Sequence, residues 1–172
     1  MNIDDMDAAD SEKTVRLVDL LAEPSIRLNA RASGRDDAIR QAGGALVEAG
    51  AVDPSYIDAM LARENRVSTY VGEGVAIPHG TSARDDVIAH DAIVVLRFPD
   101  GVNWDGNDVS VAVGIAAKGN GHIALLSQLA TVLLDTDKAT ALRAATTTQQ
   151  VYALLGSTND QGDSHFTSTI EP

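Results

Sequence analysis

The run DVSVAVGIAA (108–117) constrains the fold more than any other part of the chain. Its valines and isoleucine favour an extended backbone. It lacks the apolar–polar alternation of a half-exposed strand, so both of its faces must be covered. A second β-prone run, HDAIVVLRF (90–98), precedes it and is expected to end in the turn Pro99-Asp100-Gly101. Neither run approaches the roughly 18 apolar residues that a membrane span requires. Aromatic residues make up only 3% of the chain, so the core must be built from Ala, Val, Leu and Ile.

The layers that cover such strands are visible on either side. TVRLVDLLAE (14–23) reads as a short amphipathic helix or turn stopped by Pro24, and SIRLNARA (25–32) alternates as a strand. RDDAIRQAGGALVEAG (35–50) is a helix with acids in its first turn, Ile39, Ala42, Leu46 and Val47 on one face, and Gly50 at its C-cap. Its Gly43-Gly44 pair suggests a close helix–sheet approach. Asp53-Pro54 opens a helix over 53–65. Ser68–Val71 and Val75–Ile77 are short strands around a Gly72–Gly74 turn. After the two long strands, 120–134 is a helix with Ile123, Leu126, Leu129, Ala130 and Leu133 inward, and 137–145 and 147–156 are two short helices. Strands and helices interleave throughout. The predicted class is α/β, a single domain with a mixed sheet of about five strands and helices on both faces.

The ends differ from the middle. Residues 1–13 and 157–172 are polar and are expected to be disordered tails around a domain of 14–156. Residues 1–12 hold five acids and no base, and 157–172 three acids and no base, so the ends carry most of the net charge of −12. With no basic stripe to replace phosphate counterions, nucleic acid is not an expected partner. A basic protein would be steered toward this surface. The N-terminus has neither the basic region nor the apolar region of a signal peptide. The absence of cysteine excludes thiolate chemistry and disulfides and fits a cytoplasmic protein.

The candidate chemistry lies in the histidines. His165 falls in the tail and His90 in a loop before a strand. His79 stands between Pro78 and Gly80, directly after the apolar run Val75-Ala76-Ile77. Pro78 has no N–H for a sheet ladder and Gly80 has no Cβ. A histidine at such an open strand end is expected to be accessible to a large partner. His122 follows Lys118-Gly119-Asn120-Gly121 at a helix start, also at a strand end. Strand ends of this kind are where α/β sheets build their sites. No third ligand accompanies the two histidines, so neither a metal nor another cofactor is expected. The chain has no Gly-x-Ser-x-Gly elbow, Walker A loop or Gly-x-Gly-x-x-Gly fingerprint. Any phosphoryl group would have to come from a donor that already carries it.

The segment ENRVSTYVGEGVAIPHGT (64–81) then becomes specific. An acid or amide, six residues, an apolar residue, Gly, two residues, and aliphatic–Ala–aliphatic–Pro–His–Gly are matched at Glu64, Val71, Gly72, Val75, Ala76, Ile77, Pro78, His79 and Gly80. This resembles the phosphohistidine signature of the mannitol/fructose-type enzyme IIA domains of the phosphoenolpyruvate-dependent sugar phosphotransferase system. The resemblance extends over about 15–156, and its wording around 69–72, 79–81 and 117–119 is nearest the mannitol type.

The resemblance implies a phosphotransferase relay. His79 would accept a phosphoryl group from phospho-HPr on Nε2 and pass it to the IIB domain of a sugar permease. His122 would position the phosphorylated ring, Arg63 would neutralise the incoming charge, and Glu73 would be an acid near the nucleophile. His122 or Glu73 could also hold one imidazole tautomer, with the lone pair on the other nitrogen. Apart from the resemblance, Arg63 and Glu64 read as a solvated helix end and Glu73 as a turn acid. The implied function is hexitol uptake, with mannitol foremost. The alternatives are a fructose-specific member or a regulatory module of the same fold in a nitrogen or metabolic phosphorelay.

Overall fold

The computed structural model describes residues 16–81, 87–119 and 121–156. The tails expected at 1–13 and 157–172 lie outside the described residues. Five strands form one mixed sheet: β1 (Ile26–Arg27), β2 (Tyr70–Gly72), β3 (Val75–Ala76), β4 (Ala92–Trp104) and β5 (Asn107–Ala116), in the order β1-β4-β5-β3-β2. β1 runs parallel to β4 and β3 parallel to β5, while β4–β5 and β2–β3 are antiparallel. The helices are α1 (Arg35–Glu48), α2 (Tyr56–Arg66), α3 (Gly121–Leu133), α4 (Thr136–Arg143) and α5 (148–156). The expected α/β class and mixed five-strand sheet are what is found.

The central strands are covered on both sides, as their composition demands. Along β4, Ile93 and Val95 enter the core layer under α3, α4 and α5, and Val94 and Leu96 enter the layer under α1 and α2. β5 divides in the same way, with Val113 and Ile115 on one side and Ala112 and Ala116 on the other. Alternate side chains of a strand point to opposite faces, so a continuous apolar run feeds two cores at once.

Four details depart from the sequence expectations. The strand expected over 25–32 shrinks to Ile26–Arg27. It follows a 3-10 turn, Glu23–Ser25, that contains Pro24, and after Arg27 the chain turns again. The turn expected at Pro99–Gly101 is an irregularity inside the long strand β4, where the register with β5 shifts between Arg97 and Val102 and Gly101 takes φ +77°. Asp105 and Gly106, at φ +56° and +96°, make the true reversal between the paired residues Trp104 and Asn107. A two-residue loop with both φ positive matches the twist of a hairpin.

The close approach at Gly43 is between helices, not between helix and sheet. A Cβ there would lie 2.6 Å from Ile57 Cγ1 and 3.1 Å from the Met60 sulfur, both on α2. α3 is also rotated relative to expectation. Leu125, Leu129, Val132 and Leu133 are buried, whereas Ile123 and Ala130 are exposed. The reason is a cleft beside this helix, described next.

Candidate active site

The chain reaches the site along β3. After Ala76 the backbone stays beside β5: the Ile115 N–H donates to the Pro78 carbonyl at 3.1 Å, and His79 forms a bridge with Ile115. Pro78 offers no N–H, so the regular strand ends at Ala76, and pairing with β5 returns only as the isolated bridge at His79. Because β3 and β5 are parallel, His79 stands at the carboxyl ends of two neighbouring strands. α3 begins just beyond the end of β5.

The next turn is clamped from α2. The Tyr56 hydroxyl accepts the Gly80 N–H at 2.9 Å and donates to the Ile115 carbonyl at 2.9 Å. Its ring fills the space that a side chain at position 80 would need. A Cβ on Gly80 would lie 2.9 Å from Tyr56 Cε1 and 3.1 Å from Ala59 Cβ. Gly80 is therefore required by this close approach. Burial is the main cause that raises the Tyr56 hydroxyl above its ordinary range, with the Gly80 backbone bond opposing it.

His79 itself is only 6% exposed, so it is not the open strand end that its neighbours suggested. It lines a cleft of about 320 Å³ together with Arg63, Ser68, Thr69, Val71 and Ile77 on one side and, on the other, Leu126, Ala130 and Leu133 of α3 and Leu134 just after it. α3 screens the ring, which is why position 130 is a cleft wall rather than core.

The ring is oriented by backbone. His79 Nδ1 lies 2.8 Å from the Ile77 carbonyl oxygen. A carbonyl oxygen only accepts, so Nδ1 carries the proton and the lone pair of the neutral imidazole is on Nε2. The group at Nδ1 is thus a backbone carbonyl.

Arg63 stands in the last turn of α2 and donates to the Val67 carbonyl at 2.5 Å while lining the same cleft. A guanidinium has five N–H donors, so it can also meet an anion there. His122 stands in the first turn of α3. Glu73 stands apart from this cleft, in the β2–β3 turn, at φ +56°. Arg143 donates to its backbone carbonyl at 2.5 Å and lies 3.7 Å from its carboxylate.

One residue of the motif has a part that its sequence did not disclose. Glu64, expected on a solvated helix end, is 2% exposed. Its carboxylate accepts from the Thr69 N–H (2.8 Å), the Thr69 hydroxyl (2.6 Å), the Ser68 hydroxyl (3.1 Å) and Trp104 Nε1 (2.9 Å). The only signal for this was indirect: a buried acceptor is needed when a lone Trp and a threonine must leave water together.

An α/β domain that holds a histidine by its Nδ1, at the carboxyl ends of parallel strands and beside an arginine, has the layout of a group-transfer site. The model of the family described as phosphoenolpyruvate-dependent sugar phosphotransferase system, EIIA 2, matches residues 19–157, and the chain belongs to that family. It is 40% identical over 141 residues to the mannitol-specific phosphotransferase enzyme IIA component of Halalkalibacterium halodurans, covering 82% of this chain and 97% of that one. Its fold matches enzyme IIAMTL in the Escherichia coli complex of enzyme IIAMTL and phosphorylated enzyme IIBMTL, with TM-score 0.73 and 34% identity over 80% of this chain and 99% of that one. The crystal structure of IIA mannitol from Escherichia coli gives TM-score 0.70 and 36% identity over 76% and 95% of the two chains. Among the described residues no helix is long and apolar enough to cross a membrane.

Proposed function

We propose that this chain is a cytoplasmic enzyme IIA component for mannitol, which takes a phosphoryl group from phospho-HPr onto His79 Nε2 and delivers it to a IIB domain. The observation that carries the reading is the His79 ring, held in its Nδ1–H tautomer by Ile77 at 2.8 Å inside a cleft that Arg63 also lines. In the transfer, the Nε2 lone pair forms a bond to phosphorus while the donor's phosphorus–nitrogen bond breaks and its electron pair stays with the donor imidazole. The positive charge gained by the His79 ring is eased at Nδ1–H by the Ile77 carbonyl. Arg63 balances the charge on the equatorial oxygens. His122, in the first turn of α3, supports the phosphorylated ring. The same steps in reverse discharge the group to the acceptor, with the energy of the bond conserved.

The cleft rim suits protein partners. Among the described residues the large exposed apolar side chains are Val67, Val71, Ile123 and Leu134. Val71 and Leu134 line the cleft, Val67 holds Arg63 through its carbonyl, and Ile123 stands on α3 one turn before Leu126. Apolar residues gathered around a polar centre are the usual signature of a protein-docking face. The sugar is drawn from those relatives whose names specify mannitol. The test is to charge the protein from phosphoenolpyruvate through Enzyme I and HPr, then offer IIB domains for several sugars. Preferential discharge to the mannitol IIB is expected; discharge only to another sugar's IIB overturns the mannitol reading.

A further inference from the structure

Glu64 lies outside the cleft lining, yet it is the one buried acid among the described residues, and its carboxylate accepts four hydrogen bonds. A carboxylate taken out of water is costly unless donors surround it. Here Oε2 takes the Thr69 N–H, Trp104 Nε1–H and the Ser68 hydroxyl, and Oε1 takes the Thr69 hydroxyl. Two of these donors, the backbone N–H and the indole N–H, have no alternative role, since neither can accept.

The consequence runs toward His79 through backbone. Thr69, fixed at its N–H and its hydroxyl by Glu64, presents its own carbonyl to the Ile77 N–H at 3.0 Å. The carbonyl of that same Ile77 residue accepts from His79 Nδ1. Ser68 and Thr69 are also cleft walls opposite α3. The anchor is rigid because Glu64 sits on α2, the helix that also supplies Tyr56 and Arg63, and because its indole partner Trp104 is fully buried at the end of β4.

We propose that Glu64 is the positioning residue for the nucleophile: its buried carboxylate fixes Thr69, Thr69 fixes Ile77, and Ile77 fixes the His79 tautomer. This rests on the reading of His79 as the phosphoryl acceptor. A glutamine can place its carbonyl oxygen where Oε2 meets the obligatory donors. Its NH2 then faces the Thr69 hydroxyl, which can rotate to accept. An aliphatic residue offers no acceptor at all.

The test compares Glu64→Gln with Glu64→Leu in the full chain, by 15N NMR of the His79 ring and by the initial rate of phosphorylation from phospho-HPr. Glu64→Gln is expected to keep the Nδ1–H tautomer and a rate within about threefold of wild type. Glu64→Leu is expected to give mixed tautomers and a loss of about tenfold or more, although its folded core remains. A folded Glu64→Leu protein with the wild-type tautomer and rate overturns the proposal, because a purely structural carboxylate would move stability and leave the ring alone. If Glu64→Leu does not fold, Thr69→Val cuts the hydroxyl link with little change of shape. It is expected to show the same tautomer shift with about a threefold rate loss, and an unchanged ring and rate there overturn the proposal equally. The tautomer is read without any phosphoryl donor. A wild-type protein that phospho-HPr cannot charge would therefore sink the functional reading while the Glu64 comparison still gives its own answer.

Discussion

The two ends of the β2–β3 hairpin carry Glu73 and His79, and the structure treats them in opposite ways. Glu73 occupies the tight turn between Gly72 and Gly74, where three successive residues have positive φ. Such a backbone disfavours any side chain other than that of glycine. Arg143 supports it from α4, with its Cδ so near that a Cβ on Gly74 would lie 2.8 Å away. His79 follows the other end, where the chain is extended, stops at a proline and is gripped by Tyr56 and Ile77. Both residues belong to one stretch of a signature, but only one reaches the cleft. Closeness in sequence is a poor guide across a strand, since each residue adds about 3.3 Å of separation.

This contrast can be broken by mutation, and the effects should fall in a definite order. His79→Ala should abolish charging by phospho-HPr, read as loss of the acid-labile phosphorylated species. A charged His79→Ala protein would move the nucleophile elsewhere. Arg63→Ala should lower the transfer rate by about two orders of magnitude with a smaller change in folding stability, as expected for a group acting on developing charge. Equal rates would leave Arg63 only the cap it makes on Val67.

Tyr56→Phe leaves the Gly80 N–H and the Ile115 carbonyl without that hydroxyl, and should cost about 1–3 kcal/mol of stability in denaturant unfolding. It should also change the alkaline limb of the stability curve. Burial raises the folded hydroxyl above its ordinary 10.0, so its contribution is complete below about pH 10 and is lost as the pH climbs through the folded value. In Tyr56→Phe that part of the alkaline loss should disappear. The smallest effect belongs to Glu73→Gln, which keeps the turn backbone and its bond to Arg143. Phosphorylation should stay within about twofold of wild type, and a loss of tenfold would restore Glu73 to the site.

Much of this was legible in the sequence because it rests on local chemistry. The run 108–117 predicted a strand covered on both faces, the run 90–98 predicted the strand that pairs with it, and Pro78 predicted a break in the regular strand before His79. What escaped depends on partners distant in sequence. The Pro99-Asp100-Gly101 segment has the chemistry of a reversal, yet pairing of β4 with β5 carries the strand past it to Asp105-Gly106. The apolar row of α3 looked like core because periodicity identifies a face but not what lies opposite. Part of that row faces the cleft, and Ile123 remains exposed. Glu64 read as a solvated acid because its indole donor, Trp104, arrives from a residue forty positions away. The partner of His79 Nδ1 was hidden for a different reason: a backbone carbonyl leaves no trace in a sequence.

The central claim is that a backbone carbonyl selects the nitrogen that reacts. Its most direct measurement is heteronuclear NMR of the protein labelled with 15N in histidine, before and after charging from phosphoenolpyruvate, Enzyme I and HPr. The account predicts that His79 begins with its proton on Nδ1 and ends with phosphorus coupled to Nε2 of the same ring. Phosphorus on Nδ1 of His79, or on any other histidine, would contradict it.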